Sequence, residues 1–103
     1  MDFFIKIMVI KKEIEEVLKN TYDPELGIDL HTLGLIYDVD FNEKKQDLKI
    51  TMTFTTPLCP YGPQMLEELR GKFRTLGLER IVINVVFDPP WEPNPEVRAM
   101  LGV

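Results

Sequence analysis

The residues from Leu48 to Thr55 alternate apolar and polar without a break. Leu48, Ile50, Met52 and Phe54 fall on one side, and Lys49, Thr51, Thr53 and Thr55 on the other. Successive side chains of a strand point to opposite faces, so this segment reads as a strand of a sheet covered on one side only. Helices must then gather on that covered side. The strand runs into Thr55-Thr56-Pro57-Leu58-Cys59-Pro60-Tyr61-Gly62-Pro63-Gln64, and a helical pattern runs out of it. Prolines stiffen this junction. It also puts the single cysteine near a helix N-terminus, where the dipole and unpaired N–H groups favour a thiolate.

The rest of the chain supplies the partners of that strand. Ile10, Ile14, Val17 and Leu18 make one apolar helical stripe, with Lys11, Lys12, Glu13, Glu15, Glu16 and Lys19 on the solvated side. Asp23-Pro24 cannot continue that helix, and Tyr22 to Gly27 reads as a rigid turn. Ile28 to Gly34 reads as an irregular or single-turn connector. A first strand follows over Leu35 to Phe41, with Leu35, Tyr37, Val39 and Phe41 inward and Asp38 and Asp40 outward. Asn42 to Gln46 is a hairpin loop.

Beyond the cysteine, Met65, Leu66, Leu69, Phe73 and Leu76 form a second helical stripe that ends at Gly77. Gly71 inside it is expected to allow close packing on the sheet. A third strand runs from Glu79 to Phe87. Its second face, Val82, Asn84 and Val86, is apolar enough for a central strand or one that lies against a partner. Four prolines in Asp88 to Pro95 exclude regular structure there, and Glu96 to Leu101 reads as a short helix. The fold class expected is α+β: a two-layer sandwich of order αββαβ plus a short C-terminal helix, with helices on one face of a mixed sheet. The first two strands pair antiparallel. The second and third pair in parallel through the helix.

The 103 residues make a single domain. Met8 reads as an alternative start, because the helical pattern begins directly after it. Residues 1–8 are then an optional extension of a domain over 9–103. The apolar start carries Asp2 and Lys6 and lacks a small-residue cleavage site, so it does not read as a signal peptide, and it is too short to span a bilayer. A net charge of −5 disfavours nucleic acid and anionic membranes as partners. A lone cysteine forms no internal disulfide, which fits a cytoplasmic location.

A lone cysteine is commonly a small buried apolar residue. The stiff loop at a strand end, beside a helix start, points instead to a ligand or a nucleophile. His31 is the sole histidine, and its connector gives it a solvated or locally bonded state more readily than a place beside a thiol. No Cys-x-x-Cys is present, and the chain contains no serine. Asp23 and Glu25 flank Pro24 as turn formers, or as hard ligands held on a stiff turn. Trp91 and Asp88 sit in the proline-rich loop, Trp91 as a lid on the core or as an exposed anchor. A single thiol cannot hold an iron–sulfur cluster alone, since a cluster takes about four protein ligands.

Taken in order, Tyr22-Asp23-Pro24-Glu25-Leu26-Gly27, Leu33-Gly34-Leu35-Ile36-Tyr37, Thr55-Thr56-Pro57-Leu58-Cys59-Pro60 and Phe87-Asp88-Pro89-Pro90-Trp91 closely resemble the iron–sulfur cluster assembly family known as domain of unknown function 59, the SufT and PaaD-like factors. The resemblance covers about Ile10 to the C-terminus. It implies a non-enzymatic factor for assembly or delivery of iron–sulfur clusters. Cys59 would be the metal or cluster ligand, and Asp23, Glu25, Thr56, Asp88 and Trp91 the other signature positions. The cluster or iron would be bound transiently and shared with a partner. Client or scaffold iron–sulfur proteins, or a homodimer, would supply the remaining ligands. Leu58 departs from the glycine that the family often carries there. The alternatives are a PaaD-like accessory subunit of a multicomponent oxygenase or other complex and, third, a cysteine-dependent enzyme pairing Cys59 with His31.

Overall fold

The computed structural model describes residues 8–56, 58 and 60–102. In chain order the elements are α1 (Lys11–Lys19), α2 (Leu30–Leu33), β1 (Ile36–Asn42), β2 (Asp47–Met52), α3 (Gly62–Leu76), β3 (Arg80–Val85) and α4 (Pro95–Leu101). The sheet is mixed, with order β1-β2-β3. β1 and β2 pair antiparallel, and β2 and β3 pair in parallel across α3. The α+β architecture is the one the alternation of Leu48 to Thr55 demands, with α2 as a single-turn connector.

The covered side of the sheet carries Leu48, Ile50 and Met52, all buried. They share one core with Ile14 and Leu18 of α1, Leu30 and Leu33 of α2, and Met65, Leu69 and Phe73 of α3. Val97 of α4 is fully buried in the same core, and Leu101 packs against it. Short helices gain little from backbone propensity, so this shared apolar face is what holds them in place.

Five local expectations are corrected. Ile10 is 47 % exposed, because it is the N-cap of α1 in extended conformation and so falls outside the helical period. Val9 is buried in its stead. Its N–H donates to Gln46 Oε1 at 2.7 Å, and its carbonyl accepts from Gln46 Nε2 at 3.1 Å. In β1 the register shifts between Ile36, opposite Met52, and Asp38, opposite Thr51. That bulge leaves Tyr37 without a place on the inner face and packs Ile36 against the core with Val39 and Phe41.

β2 ends at Met52, so alternation no longer sets the direction of Thr53, which is fully buried. β3 is an edge strand, not a central one, and Val82 on its second face is half exposed. Gly71 meets open space rather than the sheet.

Candidate functional site

Because β2 and β3 are parallel, their last residues, Met52 and Val85, lie side by side, and Ile36 at the start of β1 lies opposite Met52. Three loops therefore meet the sheet at one end. Two backbone bonds tie them beyond the strands. Thr53 N–H donates to the Leu35 carbonyl at 2.9 Å, and Val86 N–H to the Met52 carbonyl at 2.8 Å.

The proline loop begins at Phe54 and ends at Gly62, and these two residues touch. A Cβ placed on Gly62 would lie 2.6 Å from the Phe54 ring. Only glycine lets the first turn of α3 approach the ring this closely. The other neighbour of Phe54 is Phe87, with ring centroids 6.2 Å apart at an interplanar angle of 59°, a tilted arrangement within the favourable range for aromatic pairs. The loop is thus closed at its base and set against the start of the second proline segment. Within it the Leu58 N–H donates to Thr56 Oγ1 at 3.3 Å, and both residues are exposed. Cys59, the expected ligand, lies outside the described residues, as does Pro57.

The second proline segment is fastened at two points. Trp91 is half-buried against the core, and its Nε1–H donates to the Leu33 carbonyl at 2.7 Å. Leu33 is the last residue of α2, where carbonyls lack intrahelical partners, so the indole satisfies an otherwise orphaned acceptor. Gly34 follows in the left-handed conformation, φ 76°, and turns the chain into β1. Tyr37 Oη–H donates to the Pro89 carbonyl at 2.8 Å. Trp91 is therefore a lid on the core. Asp88, joined to Pro89 by a cis peptide bond, is exposed.

The acidic turn has a different construction. Asp23 is only 1 % exposed. Its Oδ1 accepts from the N–H groups of Glu25 at 2.8 Å and Leu26 at 3.1 Å. Its backbone closes the same turn: the Asp23 carbonyl accepts from Gly27 N–H, and its N–H donates to the Ile28 carbonyl. This is how an aspartate before proline shapes a turn. Glu25 is exposed. The Leu30 N–H donates to the Thr21 carbonyl, which joins this turn to α2.

The motifs are therefore linked in series: acidic turn to α2, α2 to Trp91, and the Trp91 segment through Phe87 and Phe54 to the cysteine loop. They do not line one buried pocket, since Asp23 is enclosed in its own turn while Glu25, Thr56 and Asp88 face solvent. Among the described residues, no group of three His, Cys, Asp or Glu side chains could hold a metal ion. His31 is exposed on α2. No described helix is long and apolar enough to cross a membrane. Tyr37, Phe54, Gly62 and Phe87 are site-forming residues to which the sequence assigned no role at the site. Tyr37 and Phe87 stood within the four motifs, and Gly62 stood at the start of a helical pattern; nothing marked Phe54 beyond its place in the strand.

The model of a family described as "Iron-sulfur cluster assembly protein" matches residues 11–84. The Fe-S protein maturation auxiliary factor YitW of Bacillus subtilis is 37 % identical over 83 residues, which is 80 % of this chain and 80 % of that one. The Fe-S protein maturation auxiliary factor SufT of Staphylococcus aureus is 36 % identical over 70 residues, 67 % of this chain and 78 % of that one. Among solved structures, a conserved hypothetical protein from Thermotoga maritima superposes with a TM-score of 0.81 at 35 % identity, covering 96 % of this chain and all of the other. A domain of unknown function 59 structure from Bacillus anthracis gives 0.77 at 33 % identity, covering 90 % and 92 %. The chain belongs to the iron–sulfur cluster assembly protein family, as its four motifs implied.

Proposed function

We propose that this chain acts in the maturation of iron–sulfur proteins, with Cys59 holding the cargo, an iron–sulfur cluster or iron, in transit between partners. The family and the names of its relatives support the role in maturation. The observation that supports the place is the closed base of the cysteine loop, where Gly62 meets Phe54. This contact brings the two ends of the loop together at the end of the sheet.

One thiol supplies one of about four cluster ligands. The others come from the client or a scaffold protein, so the cargo is held at a junction rather than in a cage. Exposed Glu25, Thr56 and Asp88 are available as oxygen ligands. Asp23 shapes its turn, and Trp91 fastens the second proline segment. The role is non-catalytic, and a reducing cytoplasm keeps the thiol free.

Anaerobic reconstitution with iron and sulfide tests this. The protein is expected to gain visible charge-transfer absorption that Cys59→Ser lacks while keeping the same thermal melt. Equal absorption in the two proteins would remove Cys59 from the role.

A further inference from the structure

Charge is segregated along this chain. Residues 20–43, 50–69 and 81–97 contain none of the 12 lysines and arginines, and the loop 86–94 within them carries Asp88 and Glu92. The fold brings parts of all three segments to one end of the sheet: α2 with Leu35, the loop 53–61 and the loop 86–94. The same end leaves large apolar side chains uncovered. Leu58 is 87 % exposed, Phe87 43 % and Tyr61 40 %. Phe87 packs on Phe54, Phe54 abuts Gly62, and Tyr61 precedes Gly62, so Phe87 and Tyr61 flank one aromatic platform.

Exposed Asp88 directly follows Phe87, exposed Glu92 follows Trp91, and exposed Asp38 follows Tyr37, whose hydroxyl holds Pro89. Arg98 is a cation bonded to this end, its Nε donating to the Pro93 carbonyl at 3.1 Å, and Lys11 lines a surface depression with Tyr37 and Asp38. Exposed apolar residues rimmed by charge mark a surface for another protein.

We infer that the sheet end bearing Leu58, Tyr61 and Phe87 docks a protein surface in which lysines and arginines surround an apolar centre. The sign of the rim selects this occupant. Phosphate backbones and anionic membranes are repelled, and so is the same pole of a second copy. The rim charges steer encounter and set its salt dependence, while Phe87 and Leu58 supply the apolar contact. The inference deepens the maturation reading, on which identification of the partner as a client or scaffold rests.

A synthetic amphipathic Lys/Leu peptide, and the same peptide with glutamate for lysine, serve as probes in an amide NMR titration. Shifts are expected at Leu58, Tyr61, Phe87 and Asp88 with the Lys/Leu peptide alone, weakening as salt is raised. The double reversal Asp88→Lys/Glu92→Lys and the truncation Phe87→Ser are each expected to weaken binding about tenfold. Leu58→Ser, at a far more exposed position, repeats the truncation without risk to the fold. Shifts centred on Glu15 and Glu16 of α1, equal binding of the glutamate peptide, or self-association through this pole would overturn the inference. So would binding indifferent to both truncations. The titration contains no iron, so docking can fail while cluster loading at Cys59 stands, and the reverse.

Discussion

The two ends of the sheet solve the same problem with different materials. At the hairpin end, the chain before α1 is tied to the β1–β2 turn by polar side chains. Gln46 grips the Val9 backbone at both its N–H and its carbonyl, Glu43 accepts from the Lys11 N–H at 3.3 Å, and Arg80 pairs with Asp47 at 3.4 Å. Charges of both signs meet there. At the other end, the ties are aromatic donors reaching carbonyls far along the chain, Trp91 to Leu33 and Tyr37 to Pro89, together with the Phe54–Gly62 contact. Lysine and arginine are missing from the loops that meet there. An end that only has to close can use exposed charge. The end that carries the proline loop is closed by packed rings instead.

The contrast can be broken by asking which substitutions cost stability and which cost maturation. The largest loss of stability is expected at the acidic turn. Asp23→Ala strips two charge-assisted hydrogen bonds from a buried turn and should cost about 3 kcal/mol in urea unfolding. Asp23→Asn keeps an acceptor at the same place and should recover most of the loss together with maturation activity. Failure of Asn to restore maturation in a stable protein would give the Asp23 charge a role beyond its turn.

Gly62→Ala should cost about 2 kcal/mol by forcing a methyl group into the Phe54 ring. It should also lower maturation more than stability alone explains, because the cysteine loop rests on that contact. A stable, fully active Gly62→Ala protein would show that the ring yields and the loop base is not fixed.

Gln46→Ala and Trp91→Phe make a pair across the two ends. Gln46→Ala removes one acceptor and two donor contacts to the backbone and should cost about 2 kcal/mol, and Trp91→Phe removes one donor and should cost about 1 kcal/mol. Only Trp91→Phe should slow maturation of a client when both are assayed well below their melting temperatures. Equal effects on maturation would erase the distinction between the ends. Tyr37→Phe should have the smallest effect on stability, about 0.5 kcal/mol, since its bond to Pro89 is exposed to water. A larger loss would mean the Pro89 segment is fastened chiefly through β1 rather than through α2.

The sequence made the layers legible because they rest on short-range periodicity. The alternation of Leu48 to Met52 demanded a one-sided sheet, and the stripes of Ile14/Leu18 and Met65/Leu69/Phe73 supplied its cover. The four motifs made the family legible. What patterning missed involves contacts between residues far apart in sequence, or single-residue departures from a period. Tyr37 fits an alternating strand perfectly until a bulge removes it from the count. Thr53 fits until the strand ends one residue earlier.

The indole of Trp91 finds its acceptor 58 positions away, which no local pattern encodes. Gly71 and Gly62 are alike as sequence, yet only Gly62 has a ring against it. The acidic turn was legible as turn chemistry, and the enclosure of Asp23 follows from the buried Thr21 and Ile28 that bracket it.

Transfer from the loaded protein to an apo iron–sulfur protein, followed as recovery of the recipient's activity under anaerobic conditions, tests the central claim most directly. The account predicts that the wild-type chain restores activity and that folded Cys59→Ser does not, while Gln46→Ala at the opposite end still does. Restoration by Cys59→Ser at the wild-type rate would contradict it.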